Sequence, residues 1–125
     1  TTLSVIDENG AFRGGVICPG VTMSYDALSR RTAQLPRISF EEPKQVINLN
    51  TAESMQAGLI YGSAAMIDGL VDRISAEMGC TPTLVATGGV SEGIIPKCRH
   101  KITVDSDLLL DGLRIIYEKN KKTRK

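Results

Sequence analysis

The chain has 125 residues, of which 42% are hydrophobic and 23% are charged, and its formal net charge is +1. A chain of this length is one domain by default and is long enough to bury a core. The balanced charge gives no general attraction to nucleic acid or membranes, and no apolar run approaches the roughly 18 residues needed to span a bilayer.

The three cysteines, Cys18, Cys80 and Cys98, are far apart and form no Cys-x-x-Cys pair. This pattern predicts reduced thiols in a cytoplasmic protein. His100 is the single histidine and lies near Cys98, but two possible ligands do not make a zinc site. The sequence therefore predicts no metal held by these side chains.

The N-terminal part of the chain is predicted to form a β-hairpin. The sequence starts without methionine, inside a predicted strand over residues 3–6, so we expect a segment of a longer protein. Asn-Gly at residues 9–10 is a strong signal for a two-residue hairpin turn, and residues 11–20 are predicted to return as the next strand. The glycine pair at 14–15 favours a bulge or a close approach of two backbones.

A helix is predicted over residues 25–33. Ser24 is its candidate N-cap, and Asp26 in the first turn and the arginines at 30–31 near the end suit the helix dipole. The arginine pair could bind an anion, although a solvated helix end is the simpler interpretation. Residues 38–45 are flanked by prolines and are predicted to form a connecting loop.

A long helix is predicted from Asn50 to Gly79. Asn50 and Glu53 have the spacing of a capping box, and Gly79 lies where a left-handed C-cap is expected. At 1.5 Å per residue this helix would be about 40 Å long. The apolar positions that recur at helical spacing along it are Met55, Leu59, Met66, Leu70, Ile74 and Met78.

Small residues give the long helix a second distinctive surface. Gly58, Gly62 and Gly69 each cost about 1 kcal/mol relative to alanine, so we expect another element, of this chain or of another subunit, to pack closely there. Thr51 lies in the first turn, where free N–H groups and the positive end of the dipole could bind a polar or anionic ligand. The alternative is that Thr51 merely starts the helix.

Strands and helices are predicted to alternate after the long helix. A strand at residues 83–87 is followed by Gly88 and Gly89 and by a short helix that begins near Ser91. A strand, a glycine pair and a helix start allow the backbone to approach a nucleotide, although glycines also serve simply to turn the chain.

A strand at residues 101–104 and a helix at residues 108–120 are predicted to complete the chain. Asp105 or Ser106 is expected to cap this helix, and its predicted buried face consists of Leu109, Leu113 and Ile116. The alternation predicts an α/β fold that is mainly parallel in its second half. The opening hairpin adds antiparallel neighbours, so we expect a mixed sheet with flanking helices.

Five collinear motifs resemble those of the type III pantothenate kinases and together cover nearly all of the chain. They are Gly14-Gly15 followed by Pro19-Gly20, Ser24 and Ala27-Leu28; Arg31-Thr32-Ala33-Gln34-Leu35-Pro36; Asn50-Thr51 followed by Met55-Gln56-Ala57-Gly58 and Tyr61-Gly62; Ala86-Thr87-Gly88-Gly89; and Leu109 followed by Gly112-Leu113 and Tyr117.

The resemblance implies an ATP-dependent kinase that phosphorylates the terminal hydroxyl of pantothenate, the first committed step towards coenzyme A. It implies the ribonuclease-H-like fold of the acetate and sugar kinase and actin superfamily, with ATP between two such domains, in a cytoplasmic homodimer. Residues 1–125 would be the second, C-terminal domain, beginning inside its first strand. The implied cofactors are ATP, magnesium and a monovalent cation, either potassium or ammonium.

The resemblance also implies a few binding residues. Thr51 matches the threonine that hydrogen-bonds pantothenate, and Gly88 and Gly89 match the turn that lines the ATP cleft. Thr1 ends a run whose upstream residues bind the cation and ATP, and it is assigned to the same cofactor site. No catalytic or metal-binding residue is assigned, because the general base and the phosphate loop would belong to the first domain. Asn48 occupies a position that is usually glycine.

The chain alone is therefore expected to be inactive and to need the N-terminal half of the same kinase as its partner. One alternative is a non-catalytic regulatory or binding module of the Bvg accessory factor type. Another is a homodimerising fragment without a ligand, which the glycine-lined helix favours. Neither nucleic acid nor a membrane is expected as a partner.

Overall fold

A computed structural model describes residues 1–31, 38–39 and 41–122, and it divides the chain into two compact units. The first unit is Thr1–Ser63 and the second is Ala64–Lys125. None of the helices in the described ranges is long and apolar enough to cross a membrane.

The first unit opens with the predicted hairpin. Strand β1 (Thr2–Ile6) pairs antiparallel with β2 (Phe12–Ile17), with Leu3 opposite Val16 and Ser4 opposite Gly15. The register shifts between Val5 and Ile6, which places an irregularity in β2 close to the predicted glycine pair. The predictions of a hairpin and of a bulge or close approach at residues 14–15 are confirmed.

The turn of the hairpin is longer than the two-residue turn that Asn-Gly suggests. Gly10 has a φ of +77°, whereas Asn9 has an ordinary negative φ. The Asp7 N–H donates to the Ala11 carbonyl (2.9 Å), so three residues form the loop. The Asp7 carboxylate accepts the N–H groups of Asn9 and Ala11, both at 2.9 Å, and this side-chain acceptor favours the longer loop.

Helix α1 (Val21–Arg31) begins four residues before the predicted start. The Ser24 N–H donates to the Gly20 carbonyl (2.9 Å), so Ser24 lies inside the helix and the prediction that it caps the helix is wrong. The helix starts earlier because the carbonyl of Gly20 accepts the first helical hydrogen bond. Asp26 consequently lies outside the first turn. The predicted helix end at residues 32–33 lies outside the described residues.

Helix α2 (Thr51–Met78) confirms the predicted long helix almost to the residue. The Glu53 N–H donates to Asn50 Oδ1 and the Asn50 side-chain amide donates to Glu53 Oε2, each at 2.9 Å. Gly79 has a φ of +68°, and the Cys80 N–H donates to the Ser75 carbonyl (3.3 Å) as in a Schellman motif. Its most deeply buried apolar side chains are Met55, Ala57, Leu59, Ile60, Ala64 and Val71.

The glycines of α2 have more space than predicted. A Cβ atom added at Gly58, Gly62 or Gly69 would meet no heavy atom within 4 Å in the described part of the chain. The expected close packing is therefore absent from those residues. Contact with another subunit stays a prediction.

The second unit contains a small parallel sheet. Strand β3 (Val85–Ala86) pairs with β4 (Thr103–Val104), and the Asp105 N–H extends the ladder to the Ala86 carbonyl (2.8 Å). The parallel pairing is confirmed, but both strands are shorter than predicted. In the described ranges each strand pair forms its own two-stranded sheet, so the single mixed sheet is not observed. Two-residue strands offer few backbone groups for pairing, which limits how far such a sheet extends.

Three helical segments complete the second unit: α3 (Ser91–Ile94), a 3-10 turn (Ile95–Lys97) and α4 (Leu108–Lys122). The Asp111 N–H donates to the Asp107 carbonyl, so α4 begins after Asp107 rather than after the predicted Asp105 or Ser106. The carboxylate of Asp105 instead accepts the Asp107 N–H (3.0 Å) in the preceding turn.

The predicted buried face of α4 is wrong. The exposed fractions of Leu109, Leu113 and Ile116 are 67%, 56% and 58%. Helical spacing identifies which residues share a face, but it does not supply the surface that covers them.

Candidate functional site

The start of α2 presents a hydroxyl group to solvent. Thr51 is the first residue of the helix and is exposed, and its hydroxyl has no hydrogen-bond partner among the residues that the structure describes. The Asn50–Glu53 hydrogen bonds fix the helix start immediately beside it. Thr51 is therefore held by an ordered backbone while its side chain stays available to a ligand.

A cavity of about 800 Å³ lies in the first unit and includes Thr51 in its wall. The hydroxyls of Ser24 and Ser54 supply two further polar groups. The remaining wall is mainly apolar, which suits a small molecule with both hydroxyl and hydrocarbon parts. The residues that form this wall besides the three named are Pro19, Met23, Ala27, Leu28, Met55, Gly58 and Leu59.

The sequence predicted Thr51 but missed Ser24 and Ser54 as its neighbours. Ser24 was interpreted as a cap, although it lies on α1 and faces the same cavity as the start of α2. Because that proximity is tertiary, no spacing along the chain reveals it. Ser54 lies three residues after Thr51 in α2, so helical periodicity alone could have placed it beside Thr51.

The loop that enters α2 is held by the side chain of Asn48. Its Nδ2 atom lies 2.8 Å from the Gln45 carbonyl oxygen, 3.2 Å from that of Val46 and 3.4 Å from that of Glu53. Glycine, the usual residue at this position in the pattern that the chain resembles, could make none of these contacts. Asn48 thus stabilises the loop before α2 through its side-chain amide.

Gly88 and Gly89 form an open turn in the second unit. Gly88 has a φ of +109°, which strongly favours glycine, and the Ser91 N–H and hydroxyl both donate to its carbonyl oxygen. A Cβ atom at Gly88 or Gly89 would meet no described heavy atom within 4 Å. The predicted strand, glycine pair and helix start are confirmed as local structure, whereas nucleotide binding there stays a prediction.

Thr1 lies at the open end of the hairpin in the first unit. The Cys18 N–H donates to the Thr1 carbonyl oxygen (2.8 Å), so Thr1 continues the β1–β2 ladder by one residue. Its side chain is exposed. The assignment of Thr1 to the cofactor site stays a prediction.

A buried carboxylate in the second unit was missed by the sequence analysis. Asp68 on α2 is only 3% exposed, and it accepts the backbone N–H groups of Arg99 (2.8 Å) and His100 (3.2 Å). Asp72, one turn later, contacts the side chains of the same two residues at 2.9 Å and 2.7 Å. The spacing of Asp68 and Asp72 on one helix face was the available signal.

The contacts of Asp68 and Asp72 are hydrogen bonds and ion pairs with Arg99 and His100. The structure describes no group of three or more His, Cys, Asp or Glu residues able to hold a metal ion in its resolved ranges. Cys18, Cys80 and Cys98 are free thiols. Burial raises the pKa of the Cys98 thiol, and the Asp68 carboxylate raises it further, so the protonated thiol is favoured.

The contacts of Asp72 predict a dependence of stability on pH. The hydrogen bond from His100, followed by that from Arg99, lowers the pKa of Asp72 below its ordinary value of 3.8. Because the folded state binds this proton less readily than the unfolded state, the stabilising contribution is present above that value and is lost as the pH falls through the folded pKa. Urea-unfolding midpoints measured at about pH 5 and about pH 3 should therefore fall more in the wild type than in Asp72→Asn. Equal losses would contradict this assignment.

A mixed α/β architecture, with four α-helices and two small sheets in the described ranges, is consistent with a kinase domain. A sequence profile described as "Type III pantothenate kinase" matches residues 1–73. The chain belongs to the type III pantothenate kinase family.

Curated relatives extend this similarity over almost the whole chain. It is 46% identical over 121 residues to the type III pantothenate kinase of Anaeromyxobacter sp. (strain K), which is 97% of this chain and 48% of the relative. It is 44% identical to that of Pelobacter propionicus, with the same coverage, and 42% identical to that of Syntrophus aciditrophicus over 96% of this chain and 47% of the relative. The chain thus spans about half the length of the curated relatives that it matches.

Proposed function

We propose that this chain is one half of an ATP-dependent kinase that phosphorylates pantothenate. The observation that carries the proposal is the exposed Thr51 hydroxyl, which lines a cavity in a member of this kinase family. The relatives described above are named as kinases, and no observation favours the regulatory module instead.

The cavity beside Thr51 suits pantothenate chemically. Pantothenate is a small carboxylic acid with hydroxyl groups, an amide and two methyl groups on one carbon. The Thr51, Ser24 and Ser54 hydroxyls can bind its polar groups, and the side chains of Met55 and Leu59 can pack against its methyl groups. The positive end of the α2 dipole favours an anionic ligand at the same place.

We infer that Gly88, Gly89 and Thr1 contribute to the ATP site. The open turn at Gly88 and Gly89 lets a phosphate group approach the backbone, because no described side chain fills the space above it. Magnesium would neutralise charge on the transferred phosphate. The described residues contain no cluster of three or more metal-ligating side chains. The family resemblance implies that the residues that bind the potassium or ammonium ion lie upstream of Thr1.

The complete enzyme that we infer has the ribonuclease-H-like fold of the acetate and sugar kinase and actin superfamily and acts as a cytoplasmic homodimer. In this proposal residues 1–125 form its second domain, and the first domain brings the general base and the phosphate loop. The chain alone is expected to have no kinase activity. Fusing it to the half of the Anaeromyxobacter sp. (strain K) kinase that it does not match should yield turnover that requires both ATP and pantothenate.

Thr51→Val in this fusion protein should raise the KM for pantothenate about 10-fold, which corresponds to the loss of one hydrogen bond. Valine keeps the branched shape of threonine and removes only the hydroxyl. Steady-state kinetics with each substrate varied in turn would measure the change, and the KM for ATP should stay the same. Thr81→Val, an equivalent change at an exposed residue after α2, is the matched control.

Two outcomes would contradict the proposal in different ways. An unchanged pantothenate KM in Thr51→Val would remove Thr51 from the substrate site. A fusion protein with the circular dichroism spectrum of a folded kinase but no pantothenate-dependent turnover would argue against the function itself.

A further inference from the structure

The segment that leads into α2 is held mainly by side-chain hydrogen bonds. Residues 41–50 contain neither helix nor strand. Pro43 is buried at the far end of this segment, but the apolar side chains nearer to α2 do not anchor it, because the exposed fractions of Val46, Ile47 and Leu49 are 65%, 82% and 103%. The position of this segment relative to the start of α2 therefore depends on polar contacts.

Asn48 supplies those contacts at the place where the segment meets the helix. Its side-chain amide has two N–H groups, which are directed at the carbonyl oxygens of Gln45 (2.8 Å) and Val46 (3.2 Å), with that of Glu53 at 3.4 Å. The Ser54 hydroxyl in turn donates to the backbone carbonyl oxygen of Asn48 (3.3 Å). One side chain thus contacts backbone on both sides of Thr51.

We propose that Asn48 is a positioning residue for the pantothenate site, which it serves by fixing the backbone that presents Thr51. The inference rests on the proposed function for the identity of the ligand, but the contacts themselves do not depend on it. Asn48 does not line the cavity, so it acts through Thr51 and not by touching substrate. A smaller residue at position 48 would leave the loop before Thr51 without these three contacts.

The kinetic test uses the fusion protein described above with two changes at the same residue. Asn48→Ala removes the amide, and Asn48→Asp keeps its shape but replaces the donor with an acceptor that faces carbonyl oxygens. Both variants should raise the pantothenate KM about 10-fold, equivalent to one hydrogen bond, while kcat and the KM for ATP stay within about 2-fold of wild type. A purely structural role would instead lower the active fraction, and hence the apparent kcat, without this selective effect.

Gln45→Glu is the matched control for charge, because it adds a carboxylate three residues away and keeps the backbone carbonyl that accepts the Asn48 amide. It should leave the pantothenate KM near the wild-type value. An unchanged KM in Asn48→Ala would overturn the inference, as would equal increases in Asn48→Asp and Gln45→Glu without one in Asn48→Ala.

Amide hydrogen exchange on the 125-residue chain separates this inference from the proposed function. Asn48→Ala should speed exchange at Glu53 and Ser54, whose N–H groups donate to Asn50 at the start of α2. If the wild-type fusion protein has no pantothenate-dependent turnover, the proposed function fails. The positioning role of Asn48 is then tested by amide hydrogen exchange alone. Exchange that is unchanged in Asn48→Ala would then overturn its positioning role.

Discussion

Replacing Asp68 with alanine is expected to lower the free energy of unfolding by about 2–3 kcal/mol, since the change removes a buried carboxylate that accepts two backbone N–H groups. Asp68 is 3% exposed and accepts the N–H groups of Arg99 and His100. The Arg99 Nε atom also lies 3.6 Å from its carboxylate. Alanine cannot accept any of these hydrogen bonds, and solvent has little access to replace it.

Urea unfolding of the 125-residue chain, followed by circular dichroism, would measure this loss. Asp68→Asn keeps one carbonyl acceptor and nearly the same volume. Its free energy of unfolding should therefore lie between that of the wild type and that of Asp68→Ala. Asp72→Ala removes a carboxylate from the same network at a site whose side chain is 52% exposed, and it should have the smaller effect. If Asp72→Ala proved as destabilising as Asp68→Ala, burial would not be the source of the effect.

The same network has a consequence for the second unit. The N–H groups that Asp68 accepts belong to residues 99–100, which directly precede the segment leading to β4 (Thr103–Val104). In Asp68→Ala, hydrogen exchange should therefore also become faster at Thr103 and Asp105, whose N–H groups form the β3–β4 ladder.

Local signals explain which elements could be predicted from the sequence. The bounds of α2 depend on the Asn50–Glu53 capping box and on Gly79, and each lies within a few residues of the helix end that it determines. The hairpin turn likewise depends on a local feature, the positive φ of Gly10. Such signals need no knowledge of the rest of the chain, because the atoms that interact are near neighbours in sequence.

Tertiary relations explain what could not be predicted. Ser24 resembled an N-cap in isolation, but the carbonyl of Gly20 starts α1 earlier and leaves Ser24 facing the cavity. The apolar spacing of α4 identified a face without identifying a partner for it. Thr51 could be found because a helix start is a local feature, whereas the cavity around it is lined by residues of both α1 and α2.

Gly15→Ala is expected to destabilise the hairpin by about 3 kcal/mol or more, as overpacking against a backbone atom does. A Cβ atom at Gly15 would lie far closer to the Leu3 carbonyl oxygen than van der Waals contact allows. That oxygen belongs to the backbone of β1, so it can move away only if the strand pair separates. Loss of exchange protection at Leu3 and Val16, together with a lower urea midpoint, would report the separation.

Gly62→Ala is the control that should change stability in the opposite direction. No described atom lies within 4 Å of the added methyl group, and alanine is favoured over glycine in a helix by roughly 0.5–1 kcal/mol. Because the cavity residue Pro19 lies two residues after the end of β2, Gly15→Ala should also weaken pantothenate binding in the fusion protein. A variant Gly15→Ala that kept both its hairpin protection and its stability would mean that β1 and β2 are farther apart in solution than their paired register requires.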